Sequence, residues 1–316
     1  FEGNFLFVAD EMHNLGGNKV KNLLPGNANF RMGLSATPER HYDEDGTKTL
    51  QDYFGRTLIE YGIDRAIKDG TLCPYYYHVV LVDFTEEEMD EYIEISNKIS
   101  RLSSQQGKGE DFTSEAMKYL LIARGRLVAN AENKIPELRK LLEGRQESYY
   151  NLIYCGDMKY EEERQVEKIL KMVGSDLGMK ANKITAQESN DTRRRLLKDF
   201  GSGDIQALVA IKCLDEGVDV PRTETAFILA SSSNPRQFIQ RRGRVLRLAE
   251  GKKEARIFDF LTIPPLPSMS GRLDSENFNR ERQLVKNELA RVDEFARVAL
   301  NNGEILKTLR DIKIKL

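Results

Sequence analysis

The stretch Gln206-Ala207-Leu208-Val209-Ala210-Ile211 decides the fold that we predict for this chain of 316 residues. A short run that is apolar on both faces is typical of a strand buried in a parallel sheet. Residues 225–230 form a second such run, and residues 149–155 and 183–186 also favour strands. Helical patterns lie between these strands, at 161–173 and at 191–200. This alternation predicts an α/β fold with a parallel, doubly wound sheet.

An acidic motif follows another apolar run near the start of the chain. Phe5-Leu6-Phe7-Val8-Ala9 leads directly into Asp10-Glu11-Met12-His13. The run predicts a buried strand whose acids lie at its carboxyl end, where open α/β sheets bind ligands. Adjacent side chains on a strand point in opposite directions, so Asp10 and Glu11 are expected to have different roles. One can hold Mg²⁺ through water while the other orients or deprotonates an attacking water. The alternative is that Asp10 only caps backbone donors.

A basic motif lies in the last third of the chain. Gln240-Arg241-Arg242-Gly243-Arg244-Val245-Leu246-Arg247 places four arginines in seven positions. A guanidinium group is always charged and can bind phosphate oxygens through two parallel hydrogen bonds. Arg244 and Arg247 are three residues apart, so on a helix they would share a face suited to a polyphosphate. A solvated basic helix start is the alternative.

Four segments come in one fixed order: Asp10 to His13, Ser35-Ala36-Thr37, Glu216-Gly217-Val218-Asp219-Val220-Pro221, and Gln240 to Arg247. In this order they resemble motifs II, III, V and VI of the superfamily 2 helicases and translocases, of the DExH type. The resemblance covers most of residues 1–263 and is strongest to the restriction-subunit and excision-repair-like group. It implies two RecA-like domains of which the first is incomplete, a helical insert between them, and a C-terminal helix.

The resemblance also implies a nucleotide site for ATP and Mg²⁺ between the two domains. Asp10 would hold Mg²⁺ through water, and Glu11 would activate the attacking water. Arg244 and Arg247 would face the γ-phosphate. The other nucleotide-binding residues implied by the resemblance are His13, Gly217, Asp219 and Gln240.

Coupling and nucleic-acid contacts are implied for a further set of residues. Ser35 and Thr37 would link the nucleotide state to domain closure, although hydroxyl groups before a proline also serve in turns. Thr185 could contact backbone phosphates. Lys212 stands where many family members carry a threonine, and it could replace that contact with a charge. Arg124 could touch a nucleic-acid backbone, with a brace between domains as the alternative.

Composition limits the class of protein without identifying its partner. The net charge of −2 and the pI of about 6.1 do not by themselves indicate a nucleic-acid binder, so any binding of a nucleic-acid backbone must come from local basic patches. No apolar stretch reaches membrane-spanning length and no signal peptide is visible, so no membrane partner is expected. Three widely spaced cysteines make no zinc or disulfide pattern, which favours a cytoplasmic setting. We expect DNA, rather than RNA, as the nucleic acid.

The predicted organisation has four parts: the end of the first RecA-like domain at 1–83, helices at 84–147, the second RecA-like domain at 148–263, and a linker with an amphipathic helix at 264–316. That helix would either pack back on the chain or bind a protein partner. No Gly-x-x-x-x-Gly-Lys-Ser/Thr phosphate loop occurs in the sequence. We therefore expect a fragment that is inactive alone, taken from an ATP-dependent helicase or translocase. The alternative is a non-catalytic nucleic-acid binding or scaffolding module.

Overall fold

The computed structural model describes residues 3–17, 19–37, 43–105, 115–156, 165–211, 220, 222–230, 235–264, 266, 271–273 and 275–315. The strands in this part of the chain are β1 (Leu6–Ala9), β2 (Phe30–Gly33), β3 (Tyr75–Val82), β4 (Asn151–Cys155), β5 (Ala181–Ile184), β6 (Ala207–Ile211), β7 (Thr225–Ile228) and β8 (Ala255–Thr262). The α-helices there are α1 (Glu44–Phe54), α2 (Ile63–Lys68), α3 (Glu86–Gln105), α4 (Glu115–Ala129), α5 (Lys134–Leu142), α6 (Gln165–Lys171), α7 (Asn190–Ser202), α8 (Pro235–Val245), α9 (Ser275–Ala296) and α10 (Asn302–Lys315).

Six strands form one parallel sheet, in the order β3-β8-β7-β4-β6-β5. Both faces of this sheet are covered. On β4, for example, Leu152 and Tyr154 pack into one apolar cluster, whereas Ile153 and Cys155 pack into the other. Helices α7 to α10 contribute to the first cluster, and α5 and α6 contribute to the second. The predicted α/β class and parallel sheet are confirmed.

The edge strand β3 corrects part of the predicted organisation. The predicted organisation assigns residues 75–82 to the end of the first RecA-like domain, but in the structure they pair with β8 from Tyr75–Ala255 through Val82–Thr262. The sequence pattern does not indicate β8, because Arg256 and Asp259 interrupt its apolar run. The other domain boundaries remain predictions.

The strands β1 and β2 form a separate two-stranded parallel sheet in the described residues, called here the first sheet. The apolar run at residues 5–9 predicts a buried strand, and this is wrong for one face of the first sheet. Leu6 is 54% exposed and Phe30 is 63% exposed. The other face is covered by α1, where Phe7 contacts the rings of Tyr53 and Phe54 at centroid distances of 6.1 and 6.2 Å. A sheet covered by one helix can bury only one of its faces.

Helices α3 to α5 fill the segment predicted to be helical. A capping box starts α3: Glu88 N donates to Thr85 Oγ1 over 3.2 Å, and Thr85 N donates to Glu88 Oε2 over 3.0 Å. Arg124 on α4 contacts the buried carboxylate of Glu281 on α9 over 2.6 Å. The hydroxyl of Tyr92 on α3 donates to the same carboxylate. These contacts join α3, α4 and α9.

The C-terminal helix α9 packs back on the six-stranded sheet. Its apolar stripe, including Val285, Leu289 and Val292, lies in the core. Arg291 on the same helix donates to the buried Asp259 of β8 over 2.8 Å, and Asp259 also accepts from Tyr77 over 2.7 Å. A protein partner of this helix would therefore have to use its outward face.

Candidate functional site

The two acids after β1 have different surroundings. Asp10 is exposed, and its Oδ1 accepts a hydrogen bond from Glu11 N over 2.9 Å. Glu11 adopts a left-handed backbone conformation, with φ 48° and ψ 48°. This conformation costs a non-glycine residue roughly 1–2 kcal/mol and is often retained at functional sites. Since β1 ends at Ala9, the expected separation of the carboxylates arises from this turn and not from strand alternation.

A hydrogen-bond network connects this turn with the end of β2. Ser35 Oγ donates to Thr37 O over 2.8 Å and accepts from Thr37 N over 3.2 Å, which is the turn chemistry proposed as the alternative. His13 is only 3% exposed, and its Nδ1 lies 2.9 Å from Ser35 Oγ. Because the Ser35 hydrogen is directed to Thr37, this network assigns the Nδ1 hydrogen to His13 as the donor to Ser35. Ser35 and Thr37 thus form a turn that also fixes His13.

Helix α8 reaches this network from the six-stranded sheet. Gln240 Nε2 donates a 2.8 Å hydrogen bond to Glu11 Oε1. The second carboxylate oxygen, Glu11 Oε2, is buried and accepts no hydrogen bond from the described residues. It lies 3.2 Å from His13 Nδ1, whose hydrogen is directed to Ser35. Glu11 therefore keeps one acceptor atom for a further donor, such as a water molecule.

Two of the four arginines in the basic motif are structural. Arg241 and Arg242 are each 4% exposed. Arg241 Nη1 donates to Ala230 O over 2.9 Å. Arg242 lies 4.1 Å from the centroid of the Phe295 ring and bonds Glu294 over 3.2 Å. These partners belong to the protein core and its edge, so neither guanidinium is presented to a ligand here.

The other two arginines are not arranged as the sequence predicts. Arg244 lies on α8 one turn after Gln240 and is half-buried. The helix ends at Val245, and Arg247 lies beyond it in an isolated β-bridge with Leu72. The expectation that Arg244 and Arg247 share a helical face is wrong, because the helix stops before the second residue.

The nucleic-acid candidates fall into two groups. Thr185 is buried, and its hydroxyl donates to Glu188 over 2.8 Å, so a phosphate contact would require this bond to break. Arg124 is held by Glu281, which favours the brace that was its alternative role. Lys212, the third nucleic-acid candidate, and the predicted nucleotide-binding residues Gly217 and Asp219 lie outside the residues that the structure describes.

A metal ion at this site would not be enclosed by protein ligands alone. No cluster of three or more His, Cys, Asp or Glu residues within the described ranges is arranged to hold a metal ion. Mg²⁺ usually keeps several waters and binds through one or two carboxylates and substrate phosphates. The exposed Asp10 suits that mode. Among the described helices, none is long and apolar enough to cross a membrane.

One residue with a notable environment was missed by the sequence analysis. Lys134 is buried at the start of α5 and donates to three backbone carbonyl groups. A lysine in a helical segment indicates a solvated face, so the sequence carries no signal for this burial.

Comparisons with known proteins agree with this architecture. Residues 133–249 match the family described as the helicase conserved C-terminal domain. The chain is 26% identical over 276 residues to the DNA 3'-5' translocase XPB2 of Sulfurisphaera tokodaii, covering 81% of this chain and 58% of the relative. These matches support the predicted resemblance to a superfamily 2 helicase-type fragment. The chain is also 24% identical to putative helicase 22 of a Sulfolobus islandicus filamentous virus, covering 81% of the chain and 42% of the relative.

Solved structures show the same fold at low sequence identity. A fragment of a putative HsdR subunit of a type I restriction enzyme from Vibrio vulnificus matches with a TM-score of 0.52 and 19% identity, over 81% of this chain and 43% of that chain. The restriction-modification enzyme LlaBIII, solved bound to DNA, matches with a TM-score of 0.53 and 16% identity, over 93% of this chain and 20% of that chain. The chain therefore spans about half or less of the length of these relatives.

Proposed function

We propose that the protein is an ATP-dependent translocase or helicase that acts on nucleic acid, and on DNA rather than RNA. ATP and Mg²⁺ would bind between the first sheet and the six-stranded sheet. The observation that carries this proposal is the hydrogen bond from Gln240 to Glu11, because it joins the acidic motif of one sheet to the basic motif of the other. Such a junction is what a site that uses both motifs requires.

The residues on the two sides suit a nucleotide with its metal. Asp10 offers an exposed carboxylate to the waters of Mg²⁺. The buried Oε2 of Glu11 accepts no hydrogen bond from the described residues, so this oxygen would be the acceptor for the attacking water. Arg244, one helical turn after Gln240 on α8, would supply positive charge for the phosphates, and the same role for Arg247 stays a prediction. When bound, Mg²⁺ would neutralise charge that develops on the phosphate oxygens.

The roles of the protein groups follow from these contacts. Glu11 would accept a hydrogen bond, and then a proton, from the attacking water at Oε2. Gln240 holds Oε1 of the same carboxylate and so limits its rotation. Arg244 would stabilise negative charge in the transition state, since it lies one helical turn from Gln240. Ser35 and Thr37 join His13 to the end of β2. Because His13 also lies next to Glu11, a shift of Glu11 would displace this turn.

DNA is favoured over RNA by the names of two relatives. One is called a DNA 3'-5' translocase, and another was solved bound to DNA. Opening and closing of the crevice between the sheets would then move the protein along its strand.

The experiment is an ATPase assay of the full-length protein carrying Glu11→Gln. This change keeps the shape of the side chain but removes its capacity as a base. We expect turnover to fall by about 10²-fold or more, in the range of a lost general base. Glu94→Gln on α3 is the matched control, because that carboxylate is 65% exposed and forms an ion pair with Lys98 on the same helix. Undiminished turnover in Glu11→Gln would refute the assignment, and no ATPase activity in the parent protein would favour the non-catalytic alternative.

A further inference from the structure

Lys134 is the most deeply buried cation of the helical segment. It is 2% exposed and is the first residue of α5. Its Nζ donates to Val128 O over 2.7 Å, to Ala129 O over 3.2 Å, and to Leu229 O over 2.6 Å. An ammonium group has three donors, so all of them are used.

Burying a lysine at this position is energetically unfavourable unless its ammonium group has specific partners. A cation at a helix N-terminus opposes the helix dipole, and buried lysines are rare without partners. Burial lowers the pKa of Lys134 from its ordinary 10.5 to about 7. Charged groups that influence it are Asp259 on β8, Arg291 and Glu288 on α9, and Glu88 on α3. The three carbonyl oxygens compensate for these costs because each bond to a charged donor is strong.

The three carbonyl groups come from two distant parts of the chain. Val128 and Ala129 are in the last turn of α4, where helical carbonyl groups lack partners within the helix. Leu229 directly follows β7. A single side chain therefore fastens the end of α4 to the carboxyl end of a central strand of the sheet.

Helix α8 also binds the segment that directly follows β7. Arg241 on α8 donates to Ala230 O, the residue after Leu229, over 2.9 Å. The neighbour of Arg241 on this helix is Gln240, which reaches Glu11. The chain of contacts thus runs from α4 through Lys134 and residues 229–230 to α8 and the candidate site.

The helical side of this connection is itself rigidly attached. Arg124 on α4 pairs with the buried Glu281 over 2.6 Å, and Tyr92 on α3 donates to the same carboxylate. Glu132 N, just before Lys134, donates to Glu88 Oε1 over 2.9 Å. Because α3 and α4 are tied together, a displacement of either helix would act on Lys134.

We propose that Lys134 is a positioning residue that couples the α3–α4 helical pair to α8 and thereby sets the contact between Gln240 and Glu11. The importance of that contact for turnover rests on the proposed function, whereas the coupling itself does not. A ligand that shifts the helical pair would then change the candidate site without touching it.

Hydrogen–deuterium exchange of this chain tests the coupling without ATP or nucleic acid. In Lys134→Met we expect amides of 126–130 and of 235–245 to exchange about tenfold faster or more, as hydrogen bonds to a charged group are lost. Amides of β4 and β6 should keep their parent rates. Faster exchange at 126–130 alone would mean that Lys134 only caps the end of α4. An equal rise of the exchange rates in β4 and β6 would mean general destabilisation. Either result overturns the proposal.

The matched control is Lys252→Met. Lys252 is also buried and also binds backbone carbonyl groups, those of Val245 and Arg247, but both lie at the end of α8. Its replacement should loosen α8 and leave 126–130 unchanged. Fast exchange at 126–130 in this variant would show that the two regions respond to any loss near α8, which overturns a specific role for Lys134.

A second measurement avoids dependence on a variant that fails to fold. Raising the pH from 6 to 9 deprotonates Lys134 in the folded chain, whereas opening of the site would return its pKa toward the ordinary 10.5. Opening therefore becomes less favourable as the pH rises, and exchange at 235–245, corrected for its intrinsic pH dependence, should fall relative to β4. Lys134→Arg does not titrate in this range, so its exchange at 235–245 should not change with pH, which separates the effect from titration elsewhere in the chain. The same slope in Lys134→Arg would contradict the proposal. If Glu11→Gln leaves turnover unchanged but the exchange pattern holds, the proposed function fails and the coupling stands.

Discussion

Gln240 and Glu11 are 229 residues apart in sequence, and the amide of the first donates a 2.8 Å hydrogen bond to the carboxylate of the second. Glu11 is presented by a left-handed turn at the end of β1, and Gln240 is presented by α8. A hydrogen bond to a charged group contributes about 1.5–3 kcal/mol, and less where the carboxylate is partly exposed. The contact is therefore strong enough to orient Glu11 and weak enough to open when the two sheets separate.

The first prediction concerns Gln240 itself. Gln240→Ala should lower ATP turnover of the full-length protein by about tenfold, because Glu11 loses the donor that limits its rotation. Gln240→Glu should lower it further, since a like charge would face Glu11. The free energy of unfolding of both variants should lie within about 0.5 kcal/mol of the parent's, as expected for substitutions at partly exposed positions. Equal turnover in all three proteins would contradict the role given to this contact.

The second prediction separates neighbouring arginines of α8. Arg242→Met should reduce the free energy of unfolding by about 1–3 kcal/mol, because Arg242 is buried against Phe295 and Glu294. Arg244→Met should leave stability nearly unchanged and lower turnover by about 10²-fold or more, as for other lost transition-state donors. Urea unfolding and steady-state kinetics measure the two effects. The reverse pattern would mean that Arg242, and not Arg244, faces the nucleotide.

The third prediction concerns the pH dependence of stability. The pKa of Lys134 is about 7 in the folded chain and has its ordinary value of 10.5 when the chain unfolds. Between these values the unfolded chain binds more protons, so raising the pH stabilises the fold by up to ~1.4 kcal/mol per pH unit. Urea unfolding at pH 7, 8 and 9 should show this slope in the parent relative to Lys134→Met. Parallel curves for the two proteins would show that folding does not lower the pKa of this lysine.

The fourth prediction tests the brace between the helical segment and α9. Arg124→Met should cost about 3–5 kcal/mol of stability, because it leaves Glu281 buried without its cation. The double variant Arg124→Met with Glu281→Met should recover much of that loss, since both charges are then gone. Nucleic-acid affinity and its salt dependence should be unchanged in the double variant. A clear loss of affinity would restore Arg124 as a phosphate contact.

The sheet could be predicted from sequence because its strands are apolar on both faces. Residues 207–211 and 225–228 carry no charge, and the pattern identifies them directly. The strand β8 could not be predicted in this way, because it contains Arg256 and Asp259. Asp259 is bound by Tyr77 of β3 and Arg291 of α9, which are distant in sequence. Burial of a charge depends on distant residues, and a local pattern cannot show them.

The candidate site was predictable in its residue types but not in its geometry. The order of the motifs led to Glu11 and Gln240, and the structure brings these two side chains together. The separation of Asp10 from Glu11 depends on a left-handed turn that no glycine marks. The displacement of Arg247 from α8 depends on a bridge to Leu72, which lies 175 residues earlier in the numbering. Both features come from tertiary contacts and not from local propensity.

Chemical crosslinking tests the central claim most directly, namely that the acids after β1 and helix α8 face one shared site. Glu11→Cys with Gln240→Cys would be treated with a short bismaleimide in a chain whose Cys73, Cys155 and Cys213 are replaced by alanine. Glu94→Cys with Lys98→Cys, one turn apart on α3, is the positive control. We expect the 11–240 pair to crosslink within one chain as readily as the control, and neither single variant to do so. A control pair that crosslinks while the 11–240 pair remains unlinked would contradict the claim.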